Sequence, residues 1–144
     1  MKRILLLCTA LLLLCLAGCS LKTYTMDEIL PPAVDDGTLL PRIGSVTVTR
    51  AADGASVTVT GTEVETLMLT FDGLICTRKA AEARTEVYTL SFAMTDPADT
   101  RPDLCIRRIE STGELTLTVG EYEYYLVNTR LDTAYLESLF PVGS

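Results

Sequence analysis

Two segments with strictly alternating residues place the strongest constraint on the fold. Residues 45–49 and 56–60 both read Ser-Val-Thr-Val-Thr, so apolar and polar side chains alternate with a period of two. Successive side chains of a strand point to opposite faces, and the pattern therefore predicts strands with valines toward a core and threonines toward solvent. Asp53-Gly54 lies between the segments and is a turn signal. We expect an antiparallel hairpin.

Residues 62–74 change to the spacing of an amphipathic helix. Thr62 is a candidate N-cap, and Asp72-Gly73 is a stop signal. The β-favouring residues Thr66, Thr70 and Ile75 keep a strand as the alternative. The apolar positions at helical spacing are Val64, Leu67, Met68, Phe71 and Leu74.

The second half of the chain returns to strand patterns after a charged loop at 75–84. Strands are predicted at 85–94, 104–109, 115–119 and 122–127. A closing helix within 131–140 would be capped by Asn128 or Thr129. The predicted fold is α+β, a single small domain in the order β-β-α-β-β-β-β-α. Its antiparallel sheet has about six strands, with one or two helices packed on one face.

The N-terminus has the layout of an export signal. Lys2 and Arg3 precede an apolar run at 4–17, which is shorter than the roughly 20 residues that cross a bilayer. The run closes with Leu16-Ala17-Gly18-Cys19, which resembles the lipobox of bacterial lipoproteins. This resemblance implies cleavage before Cys19 and diacylation of its sulfur. An ordinary secretory signal with a chance cysteine is the alternative.

These features divide the chain into three parts. Residues 1–18 are predicted to be a lipoprotein signal peptide, residues 19–43 a lipid-anchored tether and residues 44–144 the α+β domain. The tether is rich in proline and acidic residues, although residues 26–30 could dock locally. The expected location is extracytoplasmic, with the protein anchored to the bacterial membrane of the cell envelope by its lipid.

A second resemblance covers most of residues 45–140. It is carried by the strand at 57–60, the helix at 62–74, the basic Thr77-Arg78-Lys79, the strand at 88–94 and the tyrosine-rich final strand with its helix. With these features the chain resembles an uncharacterised family of small, secreted or lipid-anchored bacterial domains of unknown function. The resemblance implies no activity.

The charge of the chain argues against nucleic acid as a partner. Without residues 1–18 the chain keeps 10 basic and 19 acidic residues, a formal net charge of −9. Binding to a phosphate backbone requires clustered cations, and only Arg78-Lys79 and Arg107-Arg108 are adjacent in this part. Anionic lipid headgroups would also repel the domain, so the membrane is expected to be contacted through the acyl chains.

The residue inventory removes several classes of catalytic site. The chain has no histidine, which excludes histidine as a general base and as a zinc ligand. Gly-rich phosphate loops are also missing from the sequence. We therefore predict no catalytic, cofactor-binding or metal-binding residues. Two groups of carboxylates are candidates for chemistry, and we interpret both as solvated. For an acid/base pair they are Glu110, Glu114, Glu121 and Glu123. For a calcium loop they are Asp96, Asp99 and Asp103.

Two of the five cysteines remain in the predicted domain. Cys8 and Cys15 leave with the signal, and Cys19 is the lipidation site. Cys76 and Cys105 form a candidate disulfide, because thiols outside the cytoplasm commonly oxidise. Such a bridge would close a loop of about 30 residues and contribute roughly 3 kcal/mol. Two unpaired, partly buried thiols are one alternative, and a reactive or metal-binding role is the other.

Tyrosines near the C-terminus form the candidate recognition surface. Alternation places Tyr122 and Tyr124 on one face and Tyr125 on the other, and Arg107 is the candidate cation. Plain sheet packing is the alternative. We expect a non-catalytic interaction module for an envelope protein or a cell-wall component. A small-ligand receptor, a carboxylate-based enzyme and an inhibitor or immunity-type lipoprotein are the other candidates.

Overall fold

The computed structural model describes residues 21–30, 42–80 and 82–141, which form one antiparallel sheet with helices on it. The strand order is β1-β4-β8-β7-β6-β5-β2-β3, and each neighbouring pair is antiparallel. The strands are β1 (Thr23–Thr25), β2 (Ile43–Arg50), β3 (Ser56–Thr60), β4 (Ile75–Arg78), β5 (Arg84–Met94), β6 (Leu104–Ile109), β7 (Leu115–Val119) and β8 (Tyr122–Leu126). The helices are the single turn α1 (Met26–Ile29), α2 (Thr62–Leu69) and α3 (Ala134–Ser138).

The hairpin predicted from the Val-Thr alternation is confirmed. Val46 of β2 lies opposite Val59 of β3, and both side chains are buried. On the other face, the hydroxyls of Thr47 and Thr58 are hydrogen-bonded at 2.9 Å. The period of two thus separates a dry face from a polar face across the whole hairpin.

The α+β class and the antiparallel sheet are confirmed, but the expected count of about six strands is wrong, because the sheet has eight. One additional strand, β4, lies in the segment predicted as a charged loop. Its central residues Cys76 and Thr77 are buried between β1 and β8. A four-residue strand flanked by charges carries too little periodicity to stand out from a loop.

The other additional strand, β1, lies within the segment interpreted as a tether. β1 pairs with β4, and the turn α1 that follows buries Ile29 and Leu30 in the core. Residues 23–30 therefore belong to the folded domain, with β1 in the sheet and the turn after it packed on the core. The predicted signal peptide, Cys19 and residues 31–41 lie outside the described residues.

The helices pack on one face of the sheet, in one core cluster with the buried strand residues. Residues 62–69 are helical, which decides between the helix and the strand proposed for 62–74. Phe71 lies in the turn after the helix and Leu74 directly precedes β4, and both side chains are buried. Thr62 is the first helical residue and Gly61 is the N-cap, so the proposed cap at Thr62 is wrong by one position. Within the described residues, no helix is both long and apolar enough to cross a bilayer.

The closing helix is shorter than predicted and has a different cap. Thr133 is its N-cap residue, and the Asp132 carboxylate accepts the Ala134 N–H at 2.9 Å. Asn128, proposed as the cap, instead accepts the Ile75 N–H at 2.9 Å and donates to the Gly73 carbonyl at 2.8 Å. Asn128 therefore joins the start of β4 to the segment that follows β8.

Candidate functional site

A cleft of about 460 Å³ opens at the end of the sheet where β6 ends, β7 begins and β8 ends. Leu115, Leu126 and Leu131 are its apolar lining residues, and Tyr125 adds an aromatic side chain. Three cations, Lys79, Arg108 and Arg130, also line it, together with Glu114 and the turn at 112–114. We call this feature the basic cleft. Its volume lies in the range of small-molecule sites.

The turn between β6 and β7 fixes one side of the basic cleft. The Ile109 N–H donates to the Glu114 carbonyl at 2.8 Å. Gly113 has a φ of 74°, a backbone conformation that residues with a side chain rarely adopt. The Thr112 hydroxyl accepts the Glu114 N–H at 3.2 Å and lies 3.5 Å from the Glu114 carboxylate. This local network restrains Glu114, whose carboxylate is the one that lines the cleft among the described residues.

Among the described residues, the cations of the basic cleft differ from most other lysines and arginines because they form no ion pair with a carboxylate. The ten lysines and arginines of residues 21–141 fall into three groups. Lys79, Arg108 and Arg130 form no ion pair within the part of the chain that the structure describes, and Lys22 and Arg78 lie against tyrosines. The arginines that are ion-paired to carboxylates are Arg42, Arg50, Arg84, Arg101 and Arg107.

A second surface feature is a cluster of aromatic rings around one arginine near the β1 edge. The guanidinium carbon of Arg78 lies 3.7 Å from the ring centre of Tyr122, 4.8 Å from that of Tyr24 and 5.3 Å from that of Tyr124. Its Nη2 donates to the Tyr124 hydroxyl at 3.1 Å. We call these four residues the tyrosine–arginine cluster. Cation–π contacts of this kind restrain the long arginine side chain.

The candidate recognition residues do not form a single surface. Tyr122 and Tyr124 share a face as predicted, but Tyr122 is 51% exposed whereas Tyr124 is buried. Tyr125 is on the opposite face and is also buried. Arg107 lies on that opposite face, half-buried, with its Nη2 3.8 Å from Glu86. Of these four residues, Tyr122 is the one most available to a partner.

Tyr125 belongs to a buried polar network on the face opposite the helices. Arg84 of β5 and Glu123 of β8 form an ion pair with both side chains below 10% exposure. The Tyr125 hydroxyl lies 3.4 Å from Arg84 Nη1 and donates to the Ala80 carbonyl at 3.3 Å. The Thr116 hydroxyl donates to Glu123 at 3.2 Å. These contacts give Tyr125 a structural role.

The structure does not bring Cys76 and Cys105 together. Both thiols are free. Cys76 is on β4 and Cys105 on β6, with β8 and β7 between them, so three strand spacings of about 4.8 Å separate the two strands. A disulfide requires Cα atoms within roughly 7 Å. Burial also raises the pKa of the Cys76 thiol to about 11, which keeps it protonated.

The carboxylates weighed as an acid/base pair lie in different surroundings. Glu110 and Glu121 are exposed, Glu114 lines the basic cleft, and Glu123 is ion-paired to Arg84. A carboxylate already neutralised by a buried arginine is poorly suited to exchange protons with a substrate. In the loop proposed for calcium, Asp99 is ion-paired to Arg42 at 2.9 Å and to Arg101 at 3.0 Å. No set of three metal-ligating residues occurs among the described residues.

Comparison of the chain with protein-family models, with curated proteins and with solved structures found no match.

Sequence reasoning identified the basic cleft only in fragments. The sequence shows Arg78-Lys79 and Arg107-Arg108 as adjacent cations, but of these four only Arg107 is predicted from the sequence as a recognition residue. Lys79 and Arg108 reach the cleft, whereas Arg78 and Arg107, their neighbours in sequence, do not line it. Arg130 carried no local signal, because its position depends on how the segment after β8 folds back.

Proposed function

We propose that this chain is a lipid-anchored binding protein of the bacterial cell envelope, without catalytic activity, whose ligand occupies the basic cleft. The observation that carries the proposal is the convergence on one concave site of one tyrosine and three cations that have no carboxylate partner among the described residues. Concave sites with a few converging polar groups are the usual places where proteins bind small molecules. A cell-wall component or a soluble envelope metabolite would meet this description.

Binding fits the available side chains better than catalysis does. The chain has no histidine, and within the part that the structure describes Glu114 is the one carboxylate that lines the basic cleft. Glycoside hydrolysis commonly uses two carboxylates on opposite sides of the scissile bond. The lining instead offers hydrogen-bond donors with fixed positive charge, which can hold a ligand without transferring a proton.

The lipid anchor is tested separately from the ligand. The full chain is expressed in a bacterium fed with labelled palmitate, and Cys19→Ser is compared with the unchanged chain. We expect label and membrane association in the unchanged chain and loss of both in Cys19→Ser. Cys15→Ser, which changes a cysteine inside the predicted signal, serves as the matched control. Equal labelling of Cys19→Ser would contradict the anchor.

The binding proposal is tested with the full chain, purified in a neutral detergent and incubated with separated cell-wall, lipid and protein fractions of a bacterial envelope. We expect retention by one fraction and its loss in the double variant Arg108→Gln/Arg130→Gln. The matched control is Lys22→Gln/Arg50→Gln, which removes the same charge outside the cleft. Retention by none of the fractions, together with an unchanged unfolding temperature in the presence of the soluble small molecules of the envelope, would contradict a binding role.

An envelope protein that contacts the tyrosine–arginine cluster is the second candidate. Tyr122 is half exposed and stacks on Arg78, and exposed tyrosines and arginines are enriched among residues that dominate protein interfaces. Tyr122→Ala separates the two candidates in the same experiment. Loss of retention in Tyr122→Ala, but not in the cleft variant, would assign the partner to the cluster.

A further inference from the structure

We infer that the basic cleft selects a small anionic ligand whose carboxylate or phosphate groups are held by Lys79, Arg108 and Arg130. This inference names the ligand class of the proposed binding function and rests on it. It starts from the distribution of charge. The chain is acidic, with a net charge of −7, yet three cations around one concavity have no carboxylate partner in the part of the chain that the structure describes. Arginine provides planar, bidentate donors that match carboxylate and phosphate oxygens.

The positions of the three cations suit a ligand held from several sides. Arg108 is near the end of β6, Lys79 follows β4, and Arg130 lies in the segment after β8, so three separate elements supply positive charge. The Lys79 ammonium lies 5.0 Å from the centre of the Tyr125 ring. That ring is fixed in turn by the hydrogen bond from its hydroxyl to Ala80. The Lys79 charge is therefore positioned before a ligand arrives.

The surroundings restrict the anion to a small molecule. The cleft has a volume of about 460 Å³, which accommodates a molecule of metabolite size. A long polyanion would extend beyond the cleft and be repelled by the acidic remainder of the protein. Apolar contacts from Leu115, Leu126 and Leu131 leave room for a carbon skeleton between the charged groups.

Glu114 supplies a test in which binding improves. Its carboxylate lines the same cleft and opposes a bound anion, although it could accept a hydrogen bond from a ligand hydroxyl. Glu114→Gln removes the negative charge and keeps the shape of the side chain. The variant should bind anions more tightly than the unchanged protein. Simple damage to the turn at 112–114 would instead weaken binding.

The experiment is isothermal titration calorimetry of the full chain in a neutral detergent. The probes are citrate for carboxylates, pyrophosphate for phosphates and triethyl citrate as the uncharged analogue. We expect citrate or pyrophosphate to bind with 1:1 stoichiometry and to weaken as salt is added, with no binding of triethyl citrate. Comparison of the two anions shows which acidic group the cleft prefers.

Variants then locate the site. Arg108→Gln and Arg130→Gln should each weaken the bound anion about tenfold, which corresponds to about 1.4 kcal/mol. Lys22→Gln, an equal loss of charge outside the cleft, should change the affinity less than twofold, within roughly 0.4 kcal/mol. Thermal unfolding of each variant confirms that the fold is kept, and a variant that unfolds is replaced by the corresponding methionine substitution, which also removes the charge.

Two results would overturn the inference. One is the lack of saturable binding of either anion up to about 10 mM, because a site with several charge-assisted hydrogen bonds should be saturated below that concentration. The other is equal weakening by Lys22→Gln and the cleft variants, which would show non-specific attraction. If an envelope fraction still retains the protein in either case, the binding function stands and only the anionic ligand class fails.

Discussion

Arg84 and Glu123 form a buried ion pair across the sheet, although β6 and β7 lie between their strands. The pair lies on the face opposite the helices, where Thr116 and Tyr125 complete its hydrogen bonds. A buried charge without its partner is strongly destabilising, so each residue depends on the other. The contact also ties β5 to β8, which are distant in the strand order.

Replacing Glu123 by glutamine is expected to destabilise the fold strongly. The variant leaves the Arg84 guanidinium buried without an opposite charge, at a cost of about 3 to 5 kcal/mol in the free energy of unfolding. Urea denaturation followed by circular dichroism measures the change. Glu121→Gln, on an exposed residue two positions earlier, is the matched control and should change stability by less than about 0.5 kcal/mol. Equal stability of the two variants would contradict the structural role of the pair.

The two thiols of the domain should differ in reactivity. Cys76 is fully buried with its pKa raised to about 11, whereas Cys105 is partly exposed. Since the thiolate is the reactive form, a maleimide at neutral pH should modify Cys105 in the folded protein and Cys76 only after unfolding. Peptide mass spectrometry distinguishes the sites. A native Cys76–Cys105 bridge would instead leave both thiols unreactive until a reductant is added.

The hairpin turn should show a carboxylate that titrates at unusually low pH. The Arg50 guanidinium, with help from the Ala55 N–H, lowers the pKa of Asp53 from 3.8 to about 2. Because the folded pKa is below the unfolded one, the ionised form stabilises the fold above pH 3.8. This contribution is lost as the pH falls toward about 2.

Carbon-detected NMR of the Asp53 carboxyl group measures this titration directly. We expect a midpoint near 2 in the unchanged chain and a midpoint shifted toward 3.8 in Arg50→Gln, which removes the main cause of the shift. Lys22→Gln, a loss of charge away from the turn, should leave the midpoint unchanged. An ordinary midpoint in the unchanged chain would rule out a persistent Arg50–Asp53 contact in solution.

The docked N-terminal segment should contribute to the stability of the domain. Ile29 is 2% exposed and packs in the main core, so Ile29→Ala should cost about 2 to 5 kcal/mol. Leu21→Ala is the matched control, because Leu21 is 60% exposed and its loss should change stability by less than about 0.5 kcal/mol. Thermal or urea unfolding of both variants provides the comparison. Equal effects would indicate that residues 23–30 are not docked in solution.

Much of the fold was visible in the sequence because its longer strands carry strong periodicity. The Val-Thr segments of β2 and β3 and the alternation in β5 to β8 were identified close to their observed positions. β1 and β4 were missed because strands of three and four residues contain too few positions to reveal a period, and tertiary pairing stabilises them.

The candidate site was less accessible to sequence reasoning, because it depends on which elements meet in space. Arg107 and Arg108 are adjacent, yet a strand sends them to opposite faces, and only Arg108 lines the basic cleft. Tyr125 is a recognition candidate in the sequence, but its hydroxyl donates a hydrogen bond to the Ala80 carbonyl within the domain. Local patterns indicate faces, whereas the strand order decides which faces and ends become neighbours.

Pairing of β1 with β4 has a geometric consequence for the lipid anchor. Thr23 follows Cys19 by four residues, which span at most about 14 Å when fully extended. If Cys19 carries the acyl chains, as we propose, the β1 edge of the sheet is held next to the bilayer surface. The opposite edge, β3, is seven strand spacings away, or about 34 Å. The strand order would then also set the distance of each strand from the lipid headgroups, with β1 nearest to them and β3 farthest away.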